Sequence, residues 1–313
     1  MLVIPDDKVI AALNYADLIT ALEKMFCSDY ELPVRHHHFY TTKEQQENAL
    51  ILMPVWNKRY LGVKQVIVAP NNHTRNIPAI HAAYTLWDAV TGEQLAMMNA
   101  AQLTSRRTAC TSALAAKYLA PADAKRLLVV GGGKVAKHLV QAHSAVRNYE
   151  SIEVWMRNTD KLQTFITELQ QEGIEATAVE DIAAAARKAD VISTATLSPV
   201  PVIKGEWLKP GTHLDLIGSH KPDTRETDDT AITRSLIFVD TREGALHETG
   251  DLAIPIKTGI FNPADVKADI RELCLQQHPG RTSADEITIF KSAGLAVEDL
   301  AAALLVYNSY TGA

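Results

Sequence analysis

The spacing of hydrophobic positions changes along the chain, and the first part combines helices with closely spaced strands. Residues 8–28 carry apolar side chains at helical spacing, which predicts one N-terminal helix. An alanine-rich helix is predicted at 102–119. Between these helices, short β-rich runs separated by polar turns predict an antiparallel or mixed sheet. The predicted strands cover 49–54, 60–68 and 82–87.

From residue 126 onward, apolar β-rich runs alternate with helical segments, which predicts a parallel sheet covered by helices. The predicted strands are 126–130, 152–156, 176–179, 191–194, 213–217 and 236–239, and the helices are 134–147, 159–172 and 181–188. A last helix, at about 294–308, can pack back on the first part. The sequence therefore predicts two domains, 1–118 with about 296–313, and 119–295.

A glycine-rich turn directly follows the first strand of the second part. Gly131, Gly133 and Ala136 form the pattern G-x-G-x-x-A, which is typical of dinucleotide-binding Rossmann domains. The first glycine permits the tight turn, the second lets the backbone approach a pyrophosphate, and the alanine allows close packing of helix on strand. The N–H groups at the helix start then face the phosphates. The other interpretation is a glycine-rich turn that binds something else.

The end of the second strand favours NADPH over NADH. An acid at this position would hydrogen-bond the ribose 2′-hydroxyl of NAD, but the chain has Arg157, followed by Asn158 and Thr159. A guanidinium suits a 2′-phosphate, and the two polar side chains add hydrogen-bond donors. Asp160 could still serve NAD, so NADH stays open as the alternative.

Composition narrows the class of partner. The 313-residue chain is 47% hydrophobic and 22% charged, with a net charge of −6, which argues against nucleic acid or an anionic membrane as the main partner. No apolar run is long enough to span a bilayer. Three distant cysteines, without a CxxC pair, and an N-terminus without a signal-peptide pattern favour the cytoplasm.

Three cations in the first part are candidates for binding an anion. Lys64 lies within an apolar strand, Arg107 lies near the start of the alanine-rich helix, and Arg35 follows Leu32-Pro33-Val34. A cation among apolar neighbours is costly unless an anion pairs with it, although each of them alone fits a solvated surface charge. The tract 36–38 consists of three histidines, but adjacent strand residues face opposite ways, so we predict no metal site.

Four segments, taken together, resemble the ornithine cyclodeaminase/mu-crystallin family. They are Leu61–Lys64, Asp88–Glu93, Leu103–Thr108 and Phe290–Ala301. The resemblance extends over nearly the whole chain and implies an α/β fold class. Its parts would be a Rossmann domain with a doubly wound parallel sheet and an α+β N-terminal domain for substrate binding and dimerisation, completed by the C-terminal helix. It also implies a homodimer.

The same resemblance assigns residues to the site. Lys64 and Arg107 would line the substrate site and take part in catalysis, with Arg35 as a third member. The arginines would hold the substrate carboxylate, and Lys64 would contact it or donate a proton near the imine nitrogen. Lys291 would bind substrate or lie near the nicotinamide. The expected cofactor-binding residues are Thr108, Gly131, Gly133, Lys134, Val135, Ala136, Arg157, Asn158, Thr159, Thr194, Ala195, Thr196, Ser292 and Gly294.

One turn departs from the cyclodeaminase pattern. Ornithine cyclodeaminases and the amino-acid dehydrogenases of the family carry an aspartate after the fifth strand, and this chain has His220 there. Without that carboxylate, ornithine deamination and cyclisation lose their base. The string Pro222–Glu226 resembles the mu-crystallin and cyclic ketimine reductase branch. His220 is a candidate proton relay in catalysis, and the alternative is a turn residue without a chemical role.

These observations lead to one functional hypothesis and two alternatives. The hypothesis is NAD(P)H-dependent reduction of a cyclic imino acid, Δ1-pyrroline-2-carboxylate, to L-proline, with the six-membered analogue giving L-pipecolate. An ornithine cyclodeaminase or amino-acid dehydrogenase of the same family is the first alternative. The second is a mu-crystallin-like protein that binds NADPH or another ligand without important turnover.

Overall fold

The computed structural model describes residues 1–312, without the side chain of His73. The chain forms two compact units. Unit 1 consists of Met1–Arg107 and Leu295–Ala313, and unit 2 of Thr108–Gly294. Helix α3 (Ala100–Leu119) runs through the first boundary between them.

Unit 1 contains a six-stranded sheet in the order β1-β6-β5-β4-β3-β2. Neighbouring strands are antiparallel, except that β1 pairs with β6 in parallel. The mixed sheet predicted from the closely spaced β-rich runs is therefore present, with three further strands. The strands are β1 (Leu2–Ile4), β2 (His36–Thr41), β3 (Glu47–Trp56), β4 (Tyr60–Val68), β5 (Ile80–Asp88) and β6 (Gln94–Asn99).

Helices α1 (Asp6–Ala12), α2 (Tyr15–Phe26) and α11 (Ala296–Thr311) complete unit 1, with α11 packed on α2 and on strands β3 and β4. The prediction of one continuous helix over 8–28 is wrong, because the chain leaves the helical conformation at Leu13. Asn14 then caps α2, its side chain accepting a hydrogen bond from Asp17 N.

Unit 2 is built on an eight-stranded sheet in the order β13-β12-β14-β11-β10-β7-β8-β9, with every pair parallel. The strands are β7 (Arg126–Val130), β8 (Ser151–Trp155), β9 (Thr177–Ala178), β10 (Val191–Thr194), β11 (His213–Leu216), β12 (Leu236–Val239), β13 (Ala268–Asp269) and β14 (Thr288–Lys291). The helices are α4 (Lys134–Val146), α5 (Thr159–Gln171), α6 (Ile182–Lys188), α7 (Asp229–Arg234), α8 (Arg242–Glu248), α9 (Gly250–Lys257) and α10 (Ile270–Cys274).

The strand order reverses between β7 and β10. The chain proceeds from β7 to β8 and β9 on one side, then crosses to β10 and β11 on the other. A doubly wound sheet binds its ligand outside the carboxyl ends of the strands at such a reversal. The topology therefore directs attention to the loops after β7, β10 and β11.

Two features are absent from the described part of the chain. Within residues 1–312, no helix combines the length and hydropathy that crossing a bilayer requires. Over the same described residues, no three His, Cys, Asp or Glu side chains come together in a group that could hold a metal ion.

Candidate active site

The loop after β7 forms the turn predicted for a dinucleotide. Gly131 has φ +137°, and a Cβ there would lie 2.5 Å from the carbonyl oxygen of Ala195, so this position requires glycine. Gly133 is the N-cap of α4 and makes no side-chain cap, while the space around its Cα is open. The first N–H groups of α4, from Lys134 and Val135 onward, are thus available to a phosphate. Buried Ala136 packs closely against the turn.

This turn opens onto a cavity of about 400 Å³. The cavity is lined by the turn itself, by the end of β8 and by the loop after β10. Its lining residues include Gly131, Gly132, Gly133, Trp155, Met156, Arg157, Asn158, Lys161, Ala195, Thr196, Leu197 and Ser198. An open glycine cradle and an uncapped helix start beside a cavity fit a dinucleotide pyrophosphate.

The loop after β8 and the start of α5 each bring one cation to this cavity. Arg157 is exposed, and Lys161, which the sequence analysis did not single out, lines the same space. Asn158 is the N-cap of α5 and accepts a hydrogen bond from Asp160 N at 3.1 Å, so its carbonyl oxygen serves the helix. Thr159 is exposed in the first turn of α5.

A buried carboxylate fixes the loops after β10 and β11 to each other. Glu226 accepts hydrogen bonds from Thr196 N and Oγ1 at 2.7 and 2.8 Å, and from Gly218 N at 2.6 Å. A Cβ at Gly218 would lie 2.0 Å from Thr196 O, which makes a side chain at this position incompatible with the contact. Burial and the neighbouring Asp251 carboxylate raise the pKa of Glu226. Thr194, the last residue of β10, donates to Asp215 O at 3.1 Å and is buried.

Lys291 lies beneath the same turn and is completely buried. Its Nζ is 2.9 Å from Asp251 Oδ2 and donates to Ser219 O at 3.0 Å. The protein's own groups engage this ammonium, and the contact of Lys291 with substrate stays a prediction. Its partner Asp251 lies in helix α9, which the apolar pattern does not predict.

The segment after Lys291 is held by another buried acid. Asp240 Oδ2 accepts hydrogen bonds from Ser292 Oγ at 3.1 Å and from the backbone N–H groups of Ala293 and Gly294, both at 2.6 Å. Gly294 has φ +81°, a conformation that favours glycine. The hydroxyl of Ser292 is therefore used to shape this segment.

His220 lies at the exposed tip of the turn after β11. Its Nδ1 is 3.2 Å from Gly218 O, and a hydrogen bond there requires the proton on Nδ1. The Nε2 atom would then be the acceptor in the neutral ring.

In unit 1, two of the predicted cations meet two carboxylates from the first turn of α11. Lys64 Nζ is 2.7 Å from Asp299 Oδ2. Arg107 Nε donates to Asp299 Oδ1 at 3.0 Å, and its NH1 donates to Glu298 Oε2 at 2.6 Å. Lys64 is 2% exposed, Arg107 4%, and both acids 0%. We call Lys64, Arg107, Glu298 and Asp299 the buried charge cluster.

Burial and opposite charge act against each other within this cluster. Burial lowers the pKa of Lys64 to about 8, although the adjacent Asp299 carboxylate favours the charged ammonium. Burial also disfavours the guanidinium of Arg107, but Asp299 and Glu298 together raise its pKa above the usual value. Lys64 is therefore the cation of the cluster whose charge depends on pH near neutrality.

The other predicted residues of this region lie as follows. Arg35 is half-buried in the segment before β2, and Thr108 follows Arg107 on α3, also half-buried. Glu298 and Asp299 belong to the segment Phe290–Ala301, which carries part of the family resemblance. The signal that points to them is an adjacent acid pair inside an otherwise apolar helix, Ala296–Ala301.

Tyr84 lies on β5, next to the strand that carries Lys64 of the buried charge cluster. It pairs with Lys64 across β4 and β5, and its hydroxyl is completely buried without a hydrogen-bond partner among residues 1–312. Burial, and then the Asp299 carboxylate, raise the pKa of Tyr84 well above its usual value. Gly62 provides the space for this phenol, because a Cβ there would lie 1.8 Å from Tyr84 Oη.

We expect Gly62→Ala to lower the free energy of unfolding by about 1–3 kcal/mol, because the added methyl group displaces a buried tyrosine from a packed core. Urea denaturation of the purified variant measures the change. The double variant Gly62→Ala/Tyr84→Phe should recover part of the loss, since it removes the overlapping hydroxyl. An alanine variant as stable as the unmodified protein would contradict the packing described for this strand pair.

One further polar network is buried in unit 2 without access to solvent. Asp215 accepts from Ser112 Oγ at 2.5 Å and lies 2.9 Å from His213 Nε2 and 3.1 Å from His143 Nε2, with all four residues 0% exposed. A serine, a histidine and an aspartate in contact resemble a hydrolase triad, but a substrate must reach the serine. Complete burial makes this network part of the core.

The family model described as ornithine cyclodeaminase/mu-crystallin family matches residues 3–313. The chain belongs to this family. Its Rossmann-type unit and mixed-sheet unit are thus the family's fold, and the chain is similar to the family's members over nearly its full length.

Three members illustrate the similarity. The Δ1-pyrroline-2-carboxylate reductase of Colwellia psychrerythraea is 33% identical over 308 residues, covering 97% of each chain. The Thermococcus litoralis Δ1-pyrroline-2-carboxylate reductase, solved in complex with NADH and L-proline, is 31% identical with a TM-score of 0.92, covering 100% of this chain and 98% of the other. An archaeal alanine dehydrogenase dimer with bound NAD is 29% identical with a TM-score of 0.91, covering 100% and 96%.

Proposed function

We propose that this protein reduces cyclic ketimine carboxylates with a nicotinamide cofactor, converting Δ1-pyrroline-2-carboxylate to L-proline and Δ1-piperideine-2-carboxylate to L-pipecolate. The observation that carries the proposal is the pair of cations, Lys64 and Arg107, held on the single carboxylate of Asp299. The reductase relatives and the dinucleotide cradle after β7 support it.

Arg107 has further N–H donors that can bind a substrate carboxylate. A guanidinium has five N–H groups, and the contacts to Asp299 and Glu298 engage its Nε and NH1. Lys64 has three, and one contacts Asp299. Two fixed cations can therefore orient an anionic ring, which lowers the entropic cost of fixing its C=N bond for reduction.

A reduced nicotinamide supplies the hydride when the cofactor is bound. The imine nitrogen must also receive a proton, because an iminium is the better electrophile and the product is an amine. The Lys64 ammonium is the proton donor in this proposal, with an ionisation near pH 8 that suits a general acid at neutral pH. His220 is a second candidate for moving a proton between solvent and the site, given its exposed ring.

The direct test is an assay of NADPH and NADH oxidation at 340 nm with Δ1-pyrroline-2-carboxylate, with proline identified as the product. Δ1-Piperideine-2-carboxylate tests the larger ring. Turnover no faster than the background without substrate would remove the proposal. Ammonia release from ornithine would instead favour a cyclodeaminase, and His220 in place of an aspartate argues against that outcome.

The preferred cofactor in this proposal is NADPH. Arg157 and Lys161 both line the cavity at the end of β8, where a ribose 2′-phosphate would lie, and Met156 provides no carboxylate for a 2′-hydroxyl. We expect Arg157→Ala to raise KM for NADPH about 10-fold or more and to leave KM for NADH nearly unchanged, because only the phosphate needs the guanidinium. Steady-state kinetics with both cofactors measure the ratio, and equal losses with the two would contradict the assignment.

The assembly and the location of the protein are further parts of the proposal. We expect a homodimer, since an archaeal relative of similar fold is described as a dimer. Sedimentation equilibrium would show the mass of one chain if the expectation is wrong. We propose a cytoplasmic location from the three distant cysteines without a CxxC pair.

A further inference from the structure

We propose that Lys64 takes up one proton when the anionic substrate binds, and that this is the proton which the imine nitrogen then receives. The proposal rests on the proposed function, because it concerns the same site. It follows from the charges that the structure places around Lys64: one guanidinium, two carboxylates and one phenol.

Two of the groups around Lys64 keep one charge near neutral pH. Arg107 stays protonated, since its two acidic partners add to an already high pKa. Tyr84 stays neutral, because burial and Asp299 raise the pKa of its phenol. Asp299 lies 2.7 Å from Lys64, and Glu298 lies 2.6 Å from Arg107. Two cations paired with two carboxylates make the buried charge cluster formally neutral as a whole.

The protonation of Lys64 can therefore change when an anionic substrate binds. Its pKa is about 8, so about half of the Lys64 side chains are neutral at about pH 8. A substrate carboxylate beside Lys64 and Arg107 adds a third negative charge in a water-poor environment and strongly favours the ammonium. Above about pH 7, substrate binding must then draw protons from solvent.

The reaction consumes the proton that Lys64 takes up when the substrate binds. The imine nitrogen accepts the proton from the Lys64 ammonium, which forms the N–H bond of the product and leaves Lys64 neutral. Hydride addition to the resulting iminium forms a C–H bond at its carbon, and the electron pair of the C=N π bond becomes the lone pair of nitrogen. One hydride, which a bound reduced nicotinamide would supply, and one proton account for the neutral amine, and a solvent proton restores Lys64.

Calorimetric titration with pyrrole-2-carboxylate, in the presence of saturating NADPH, measures this uptake. The probe is a flat five-membered carboxylate whose nitrogen does not titrate near neutral pH, so it contributes no proton of its own. Repeating the titration in buffers of different ionisation enthalpy gives the number of protons taken up per site. We expect fewer than about 0.1 at about pH 6.5, about 0.5 at about pH 8, and close to one at about pH 9.

The variant Lys64→Arg separates this proposal from uptake elsewhere in the protein. Arginine keeps the positive charge but does not titrate in this range, so we expect the probe to bind without proton uptake at any pH. Lys125→Arg is the matched control, since Lys125 is exposed on unit 2 and paired with Glu150, and it should behave as the unmodified protein. If Lys64→Arg does not fold, the pH series on the unmodified protein decides alone.

The outcomes distinguish the two proposals. Binding with less than about 0.1 proton taken up at about pH 8, or uptake that persists in Lys64→Arg, overturns the role of Lys64. The proposed function survives that result if the imine is still reduced. Absence of both probe binding and imine turnover removes the proposed function itself.

Discussion

Asp299→Ala is expected to lower the free energy of unfolding by about 3–5 kcal/mol, the largest loss of stability among the substitutions considered. Asp299 is completely buried and contacts both Lys64 and Arg107. Its removal leaves a buried ammonium without its carboxylate and a guanidinium with only Glu298. Denaturation by urea at about pH 7 measures the change.

The loss of stability in Asp299→Ala should arise because Lys64 is left buried without a carboxylate, and not because the aspartate itself is missing. The double variant Asp299→Ala/Lys64→Met should therefore be more stable than Asp299→Ala alone, because it removes both members of the pair. Glu150→Ala, which breaks the exposed pair with Lys125, is the control and should change stability little. A loss below about 1 kcal/mol in Asp299→Ala would show that the cluster is hydrated instead of buried.

The strand pattern of unit 2 could be predicted from the sequence because its strands are buried on both faces. Such strands are continuous apolar runs, and β7 and β10 lie at the predicted residues, 126–130 and 191–194. Strand β14 was not predicted, although it lies between β11 and β12. Its four residues, Thr288–Lys291, include two polar side chains, and only the assembled sheet shows where they are buried.

The cofactor turn was predictable for a different reason, since its function is local. The glycines, the strand before them and the helix after them lie within a dozen residues, so spacing alone predicts the geometry. Pairings between distant residues have no such signal. Arg107 and Asp299 are 192 residues apart in sequence, and the acids that hold the cations could not be assigned to them.

Lys291 is a second residue whose contacts could not be predicted from the sequence. A family motif marks the residue, but a motif does not say whether a charged group faces a ligand or the protein. In the structure its ammonium joins Asp251 to the turn at Ser219, so the residue shapes the loop that carries His220. Burial and partners decide such cases, and both depend on the tertiary fold.

Glu226→Ala is expected to weaken NADPH binding by about 10-fold or more, because the variant frees the loop after β10 from the loop after β11. Thr196 N and Gly218 N would each lose their acceptor, at a cost of roughly 1–3 kcal/mol for a buried amide left without one. Thr196 lines the cofactor cavity, so the loss of the carboxylate reaches the ligand through the backbone. Quenching of NADPH fluorescence on titration with protein measures affinity without requiring turnover.

Two comparisons separate a positioning role for Glu226 from general unfolding. Glu226→Gln keeps one carbonyl oxygen as acceptor, and its affinity for NADPH should lie between those of the alanine variant and the unmodified protein. Glu206→Ala, a substitution of an exposed acid in the same unit, should leave the affinity unchanged.

The fragment 2′,5′-ADP tests whether the effect of Glu226 is confined to one part of the cofactor site, since the fragment fills only the adenosine side. Glu226→Ala should weaken the fragment less than the whole cofactor, because the carboxylate acts on the loops after β10 and β11, away from Arg157 at the end of β8. Equal losses for both ligands would mean that the substitution disturbs the whole unit, and the carboxylate would then have no specific part in forming the cofactor site.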